Sequence, residues 1–499
     1  MGACQKLPLF VLYMLAWLLS GWTSLSSGAE DVFEMHPKYG EESQINMDVA
    51  SSLVERDTQR TGRRLQALSK ATHFTMQGAV YPDGIYYITL YIGIPPQPYF
   101  MDVDTGSDLT WLQCNAPCRK CAQGPHQLYK PRQYVSCKEP LCQPMQASSH
   151  QRYDCKSPRQ QCDYDIKYAD RGSSMGVLVK DIALFYLANR TVARASSVFG
   201  CGYDQDGSLG VSPAHTDGVL GLGAGMVSLP SQWSKEGLIK NVIGLCVAGG
   251  GKRGGYMFFG DEYVPNSGMT WVPMLGKPAM KHYYVGAAQM IFGKKLLVKD
   301  GDEKRLGGII FDSGSSYTYF INQSYALVLS AVHESIGKYL VKDSTDKTLP
   351  ICWKGKKKFS SVADVKSYFK PLLLNFRTSS YSRSAKLEIP PEGYLIISRN
   401  GNVCLGILNG TGVANHNILG DISLQGYLLV LDNGNNRVGW VRADCTKVSK
   451  PVIRRQALED PSQSHEDETI PCSQDLEQAV CPSSSCFVPE YGVSLQSSQ

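Results

Sequence analysis

Short apolar segments separated by glycine- and proline-rich turns dominate the chain. In GIYYITLYIGIPPQPYFMDVD, which begins at Gly84, apolar or aromatic residues occupy both faces of a strand from Ile85 to Ile92. This pattern predicts a strand buried between two layers. Pro95 and Pro96 end the strand, and a return strand then leads to Asp104. The pattern predicts an all-β fold rather than a helical bundle.

The same arrangement occurs twice along the chain. HYYVGAAQMIFGKKLLV, which begins at His282, is followed by a polar loop and by GGIIFDSGSS, which contains Asp312. Each copy also has a later partner, DGVLGLG at 217–223 and NILGD at 417–421. Duplication over such a long period predicts two homologous β-rich lobes.

Changes in composition and in the hydrophobic pattern divide the chain into segments. Its 499 residues are 43% hydrophobic and 19% charged, as in a globular protein with a large core. We predict an N-terminal lobe at 78–262 and a C-terminal lobe at 263–446. A cysteine-rich insertion at 114–162 belongs to the first lobe, and a disordered, serine-rich tail covers 447–499.

The N-terminal region has the features of a targeting and processing segment. Residues 1–29 contain a short apolar run preceded by Lys6 and followed by small residues, which predicts a signal peptide; an uncleaved membrane anchor is the alternative. Residues 30–77 are polar and include Arg63-Arg64, which predicts a removable pro-segment and hence a zymogen. An ordinary linker is the alternative for this second segment.

Cysteine usage indicates an oxidising compartment. Twelve cysteines lie between Cys114 and Cys445, enough for six disulfides. Sequons for N-glycosylation occur at Asn189, Asn322 and Asn409. We therefore predict the secretory pathway, with an extracellular, apoplastic or vacuolar destination.

Charge gives little indication of a partner. The formal net charge is +5, and the densest basic run, KGKKKF from Lys354, lies among polar loop residues. Because the sequence shows no aromatic platform or basic helix beside it, we interpret this run as a solvated loop rather than a nucleic-acid or phosphoinositide patch. We expect a monomer without a nucleic-acid partner, bound to a membrane only if the N-terminal segment is retained.

Two carboxylates at equivalent strand ends indicate acid–base chemistry. Asp104 in DTGS and Asp312 in DSGS, if brought together, would share a proton because like charges a few ångströms apart repel. One ionised carboxylate can then activate a water while the other protonates the carbonyl oxygen of a peptide. This chemistry predicts peptide or protein substrates and requires neither a metal nor another cofactor.

The residues around each aspartate suit this role. Gly106 and Gly314 allow sharp turns and close approach, and hydroxyls that can hold the carboxylates are provided by Thr105, Ser107, Ser313 and Ser315. A lone Asp-Thr-Gly is more commonly a turn or a helix N-cap. Two copies in duplicated contexts favour catalysis.

These motifs together resemble a known family. DTGS, DSGS, Trp111 and the apolar-apolar-Gly segments 219–221 and 418–420 resemble those of the pepsin-type aspartic peptidases. The cysteine-rich insertion, YADRGSSMG from Tyr168 and FGCG from Phe199 are similar to the plant nepenthesin-like and nucellin-like branch. The resemblance implies a bilobal fold with the active-site cleft between the lobes.

The resemblance also implies individual roles. Asp104 and Asp312 would be catalytic, with the neighbouring Thr, Gly and Ser residues as supports. Tyr168 would belong to a flap over the cleft and bind near Trp111, and Ser316 would contribute to substrate binding. Cys352 and Cys404 would form the disulfide of the second lobe. Two departures are serines in place of threonines in the second turn and Arg171 where this branch often has glycine.

Three other signals are set aside. Cys118 and Cys121 have the spacing of a zinc or redox pair, but a disulfide is preferred in this context. Ser174 in GSSMG spells a serine-hydrolase elbow, yet the sequence after it is strand-like. Residues 249–254 spell a dinucleotide fingerprint, but a strand-like segment follows.

The sequence therefore predicts a secretory aspartic endopeptidase made as a precursor. The competing interpretation is a catalytically silent binding or inhibitor protein on the same scaffold, as in the plant xylanase inhibitors that resemble this branch. An interaction through the cysteines of the tail could accompany either function.

Overall fold

The computed structural model describes residues 70–118, 121–146, 155–211, 214–276, 282–298, 302, 306–377, 384–412 and 415–451. The predicted signal peptide, the pro-segment up to residue 69 and the tail from residue 452 lie outside these residues. Among the described residues, no helix combines the length and the apolar character needed to cross a membrane.

Strands dominate both halves of the chain. Those of the first half are β1 (Thr72–Ala79), β2 (Ile85–Ile92), β3 (Gln97–Asp104), β4 (Trp111–Gln113), β5 (Gln133–Tyr134), β6 (Asp163–Lys167), β7 (Ser173–Tyr186), β8 (Val192–Asp206), β9 (Gly218–Gly221), β10 (Val242–Val247) and β11 (Gly255–Phe259). Those of the second half are β12 (Thr270–Pro273), β13 (Tyr283–Val285), β14 (Ala288–Phe292), β15 (Lys295–Leu296), β16 (Ile309–Phe311), β17 (Thr318–Phe320), β18 (Val341–Lys342), β19 (Cys352–Lys354), β20 (Leu372–Arg377), β21 (Ser384–Ile389), β22 (Leu395–Ile397), β23 (Val403–Leu405), β24 (Ile407–Asn409), β25 (Asn417–Leu419), β26 (Tyr427–Asp432) and β27 (Arg437–Arg442).

Helices are few in the described part of the chain, and all but one have at most seven residues. They are α1 (Cys142–Gln146), α2 (Leu229–Lys235), α3 (Asn322–Ile336) and α4 (Asp421–Leu424), with 3₁₀ turns at Gly207–Gly210, Val362–Asp364, Lys366–Tyr368 and Pro391–Gly393. The prediction of an all-β fold is confirmed.

The two halves repeat one strand arrangement around each aspartate. In the first half β3 runs parallel to β9, with Asp104 opposite Gly221, and β4 pairs antiparallel with β9. In the second half β16 runs parallel to β25, and β17 pairs antiparallel with β25. Each aspartate therefore comes at the end of a strand held by the later apolar-apolar-Gly segment, which agrees with the predicted homology of the lobes.

One large sheet contains strands of both halves. Its order is β12-β27-β26-β10-β11-β1-β2-β3-β9-β4-β8-β7-β5, with β6 paired to β7. The junction between the halves is the antiparallel pair β10–β26, in register from Val242 opposite Asp432 to Cys246 opposite Leu428. Smaller sheets of the second half have the orders β13-β16-β25-β17-β24, β15-β14-β20-β21 and β18-β19-β23-β22.

The prediction that β2 is buried on both faces is wrong. Tyr86, Ile88, Leu90 and Ile92 are buried, but the residues between them are only half-buried and Tyr91 is 46% exposed. The outer face carries aromatic and β-branched side chains, and three of its four residues have a polar hydroxyl. Leaving this face partly in contact with water therefore costs less free energy than exposing a fully apolar face.

Six disulfides join the twelve cysteines between Cys114 and Cys445, as predicted. The pairs are Cys114–Cys201, Cys118–Cys121, Cys137–Cys155, Cys142–Cys162, Cys246–Cys445 and Cys352–Cys404. Within the cysteine-rich insertion, Cys137, Cys142, Met145 and Cys162 pack with Trp111 and Leu178 of the lobe. Because the sulfurs of Cys118 and Cys121 are bonded to each other, they are not thiolate ligands for zinc.

Two other motifs that were set aside are structural. Ser174 lies within β7, fully buried, with its hydroxyl 3.1 Å from that of Tyr164. Gly250 and Gly251 lie between the antiparallel strands β10 and β11, both with positive φ angles.

Candidate active site

The two aspartate turns interlock at the junction of the halves. A β-carbon placed on Gly106 would lie 2.5 Å from Asp312 Oδ1, and one placed on Gly314 would clash in the same way with Asp104 Oδ1. Any side chain at either glycine would therefore push the opposite carboxylate away. The glycines let each turn pack directly against the other aspartate, and the two carboxylates meet.

Each carboxylate accepts hydrogen bonds from its own turn. Asp104 Oδ1 accepts from the Gly106 amide at 2.8 Å, and Asp104 Oδ2 accepts from the Ser107 hydroxyl. In the second turn the Gly314 amide donates to Asp312 Oδ1 at 2.9 Å, and the Ser315 hydroxyl donates to Asp312 Oδ2 at 2.8 Å. These donors fix the orientation of both carboxylates and partly offset the cost of burying them.

A second pair of residues joins the turns by reciprocal hydrogen bonds. The Ser313 amide donates to Thr105 Oγ1 at 2.9 Å, and the Thr105 amide donates to Ser313 Oγ at 3.2 Å. The hydroxyls in turn donate across the junction, Thr105 to the Phe311 carbonyl at 3.2 Å and Ser313 to the Val103 carbonyl at 2.7 Å. Since Thr105 and Ser313 are buried, water does not compete for these bonds.

Burial changes the protonation of the pair. Burial and then the nearby charge of Asp312 raise the pKa of Asp104, against hydrogen bonds from Ser107 and Gly106. Burial likewise raises the pKa of Asp312, against hydrogen bonds from Ser315 and Gly314. The pair therefore retains a shared proton to a higher pH than exposed carboxyls would.

Two further carboxyl groups lie close to the pair, and the sequence analysis did not single them out. Burial, followed by the charges of Asp104 and Asp312, raises the pKa of Asp102 well above its usual range. Burial, followed by the charge of Asp102, does the same for the pKa of Asp421 at the start of α4. The available signals were the position of Asp102 two residues before Asp104 and that of Asp421 directly after the second apolar-apolar-Gly segment.

The β6–β7 hairpin carries the predicted flap tyrosine. Tyr168 and Gly172 close the turn, with the Tyr168 amide donating to the Gly172 carbonyl at 2.8 Å. The indole Nε1 of Trp111 donates to the Tyr168 hydroxyl at 2.8 Å. Arg171 has a φ of 72°, in the left-handed region that favours glycine, so the departure from glycine places a strained, exposed arginine in this turn.

Ser316 takes part in a contact between the halves. Its hydroxyl donates to the carbonyl of Gly84, just before β2. A role of Ser316 in substrate binding stays a prediction.

The remaining predicted residues lie in peripheral elements. Cys352 and Cys404 face each other in the β19–β23 pair. Asn322 and Asn409 are exposed, with Asn409 Nδ2 3.4 Å from Asn322 Oδ1, and Asn189 lies in the turn between β7 and β8. Glycosylation at these three sites stays a prediction.

Comparisons with known proteins identify the family. Family models described as xylanase inhibitor N-terminal and xylanase inhibitor C-terminal match residues 86–261 and 282–442. An aspartic proteinase of Oryza sativa subsp. japonica is 41% identical over 397 residues, covering 77% of this chain and 93% of that protein. The chain belongs to the pepsin-like aspartic proteinase family.

One further relative supports the predicted plant branch, and two solved structures share the fold. Aspartic proteinase nepenthesin-1 of Nepenthes gracilis is 28% identical, over 79% of this chain and 86% of its own. The solved structure of basic 7S globulin from soybean has a TM-score of 0.60 at 17% identity and covers 76% of this chain and 99% of its own. The solved structure of edgp has a TM-score of 0.57, also at 17% identity, and covers 77% of this chain and 97% of its own. The two structures establish the fold alone.

Proposed function

We propose that this member of the family is an active aspartic endopeptidase, with Asp104 and Asp312 as its catalytic pair. The observation that carries the proposal is the interlocking of the two turns, in which each glycine lies against the carboxylate of the other half. Both carboxylates keep their hydroxyl donors, Ser107 and Ser315. These contacts support the proposal because the chemistry requires two opposed carboxylates held in place by hydrogen-bond donors.

Hydrolysis would proceed by proton transfer between the pair, a water and the peptide. The ionised carboxylate takes a proton from the water, whose oxygen attacks the peptide carbonyl carbon. The neutral carboxyl gives its proton to the carbonyl oxygen, so a neutral tetrahedral intermediate forms. The neutral carboxyl of the pair then gives its proton to the peptide nitrogen as the carbon–nitrogen bond breaks. The other carboxylate takes a proton from a hydroxyl of the intermediate, which becomes the new carboxyl group, so the pair again holds one proton.

The flap would hold and shield an extended peptide or protein substrate. The bond from Trp111 to Tyr168 orients the flap tyrosine, and a substrate lying beneath the hairpin could add backbone hydrogen bonds to it. Closing the hairpin over the cleft would exclude bulk water from the reacting groups.

The charge state of the pair sets the expected pH dependence. Activity requires one proton on the pair, and burial raises the pKa of both carboxyls. Peptide cleavage should therefore be greatest at acidic pH and fall as the shared proton is lost at higher pH. The predicted pro-segment would delay activity in full-length protein until acidification weakens its ion pairs with carboxylates.

The disulfides are consistent with a secreted or vacuolar enzyme.

A binding or inhibitor protein is the second candidate, because the matching family models are described as xylanase inhibitor domains. Such a protein would need neither two opposed carboxylates nor their hydroxyl donors, so the intact site favours the enzyme.

Peptide cleavage by the purified protein, measured from pH 3 to 7, tests the proposal. Asp104→Asn and Asp312→Asn should each lower kcat/KM by at least about 100-fold, because each removes an acid–base group. Asp364→Asn, which changes an exposed carboxyl of the C-terminal half, is the control and should retain full activity. Thermal unfolding of each variant would check that it is folded.

Cleavage at the parental rate by the folded Asp104→Asn variant would remove the proposed mechanism. Absence of cleavage by the parental protein, together with stable binding of a glycosidase or another protein, would favour the inhibitor function instead.

A further inference from the structure

The positive charge of the chain is concentrated in one segment. Residues 338–370 contain nine lysines, three aspartates and no arginine or glutamate, a formal charge of +6 in a chain whose total is +5. The rest of the chain is therefore close to neutral. We refer to residues 338–370 as the lysine segment.

The segment folds as a compact, exposed part of the C-terminal half. It follows α3 and contains β18, β19 and two 3₁₀ turns, and the Cys352–Cys404 disulfide fastens it to β23. All nine lysines are exposed. Within the described residues only one of them makes an ion pair, Lys366 with Glu392 at 3.7 Å.

The aspartates of the segment are occupied by other donors. Asp346 accepts hydrogen bonds from Ser398 at 2.6 Å, Thr348 at 2.7 Å and Asn402 at 3.0 Å. Asp364 binds the amides and a hydroxyl of Ser360 and Ser361. Asp343 accepts hydrogen bonds from Thr345 and Asn402. These carboxylates organise loops and do not pair directly with the lysines, whose mutual repulsion favours an external anion.

The structure also supplies an aromatic platform that the sequence did not show. Tyr339 is 70% exposed and stacks on Tyr368, with ring centroids 5.3 Å apart and an interplanar angle of 26°. Lys338, Lys342, Lys366 and Lys370 lie within three positions of these tyrosines along the chain. Cationic and aromatic groups therefore occur together at this surface.

Packing connects the tyrosine stack to the KGKKKF run. In the β18–β19 hairpin Val341, two residues after Tyr339, lies opposite Lys354. Phe369, which follows Tyr368, contacts Trp353 with ring centroids 6.0 Å apart. The start and end of the lysine segment thus meet at the strand that leads into the basic run.

We propose that the lysine segment and the Tyr339–Tyr368 stack form a binding surface for an acidic polysaccharide. Each lysine presents a compact point charge on a flexible stem, which can meet carboxylate or sulfate groups spaced along a polymer without the fixed bidentate geometry of arginine. The apolar face of a sugar ring can pack on the exposed tyrosine. The disulfides indicate an oxidising compartment, where anionic glycans are a more accessible polyanion than nucleic acids.

This proposal changes the interpretation of KGKKKF as a solvated loop. It does not depend on proteolysis, since none of its residues belongs to the aspartate turns or the flap. Binding should weaken steeply with salt because the attraction is between exposed charges.

Binding of the disulfide-intact protein to polygalacturonate, measured at increasing salt, tests the surface. A variant with Lys354, Lys356, Lys357 and Lys358 all changed to Gln should bind at least about tenfold more weakly at low salt. The matched control changes Lys130, Lys138, Lys235 and Lys252 to Gln, exposed lysines outside the segment, and should lose less than about threefold. Both variants lose the same formal charge.

Tyr339→Ala tests the platform separately and should weaken binding while leaving its salt dependence unchanged. Thermal unfolding would verify that each variant is folded. Equal losses in the two quadruple variants would overturn the proposal, because binding would then follow net charge alone. Absence of polygalacturonate binding at low salt, or tighter binding to DNA or to anionic vesicles, would also overturn it.

Discussion

Two buried hydroxyls hold the aspartate turns together. Thr105→Val keeps the shape of the side chain but removes the acceptor of the Ser313 amide and the donor to the Phe311 carbonyl. We expect the free energy of unfolding to fall by about 1–3 kcal/mol, because buried groups lose their partners. Ser344→Ala, at an exposed position, is the control and should change it by less than about 0.5 kcal/mol in denaturant titrations. A neutral effect of Thr105→Val would contradict a structural role for these bonds.

The buried side-chain amide of Gln205, near the flap, allows a second prediction about a single residue. Gln205 in β8 is 2% exposed, and neither its nitrogen nor its oxygen has a hydrogen-bond partner within the described chain. Gln205→Met has similar volume and removes both polar atoms, so we expect the free energy of unfolding to rise by about 1–2 kcal/mol. Gln232→Met is the contrasting variant, because the Gln232 amide is fully hydrogen-bonded and its loss should destabilise the protein. Destabilisation by Gln205→Met would show that the amide has a partner in solution.

The sequence led to Asp104 and Asp312 because their motif occurs twice in similar surroundings. It did not lead to Asp102 or Asp421, since an aspartate beside a strand end has no distinctive motif. Their influence on the pair depends on which strands and loops are neighbours, and this is a property of the tertiary fold. Gln205 was missed for the same reason.

At the level of elements, β1 bears on where the predicted pro-segment would be cleaved. Thr72 to Met76 pair with β11, and Gln77 to Ala79 pair with β2. Cleavage at residue 77, the predicted end of the pro-segment, would remove most of this central strand and expose the edge of β11. We therefore expect the mature chain to begin at or before Thr72.

N-terminal sequencing and intact mass of the mature protein would locate the predicted cleavage site. A mature chain that starts at residue 78 and is as stable as the precursor would contradict a structural role for β1. A truncated protein expressed from residue 78 provides the matched comparison, and we expect it to be insoluble or markedly less stable.

Strand patterns predicted several elements well because they depend on local sequence. The strand from Ile85 to Ile92 and the return strand ending at Asp104 have the predicted positions. The half-buried outer face of β2 was not predicted, because aromatic residues occur on buried and half-buried faces alike. The pairing of β10 with β26 was also not predictable, since nothing local to either strand specifies a partner so distant along the chain.

For the molecule as a whole, buried carboxyls determine how stability depends on pH. The pKa values of Asp102, Asp104, Asp312 and Asp421 are raised, chiefly by burial. The folded protein thus binds more protons than the unfolded chain between about pH 4 and the raised pKa values. The free energy of unfolding should decrease as pH rises through this window.

Asp346 changes the pH dependence of stability in the opposite direction. Burial acts to raise its pKa, but hydrogen bonds from Ser398, Thr348 and Asn402 outweigh burial and lower the pKa below its ordinary value. This contribution to stability is present above about pH 4 and is lost at lower pH. The free energy of unfolding should therefore be greatest in the mildly acidic range.

Denaturant titrations at intervals from pH 3 to 8 would test both predicted changes in the free energy of unfolding. In Asp421→Asn the free energy of unfolding should fall less as pH rises above 4. In Asp346→Asn it should fall less as pH drops below 4. A protein that becomes steadily more stable up to pH 8 would contradict the raised pKa values.

The halves are joined by more than one covalent connection. Strands β12, β26 and β27 lie in the same sheet as β1 to β5 and β7 to β11, and Cys246 of β10 is bonded to Cys445. A single nick between Phe259 and Tyr283 would leave two fragments that still share that sheet and that bond. Electrophoresis without reductant would show one band and electrophoresis with reductant two, so an apparent heterodimer of this protein would still be the product of one gene.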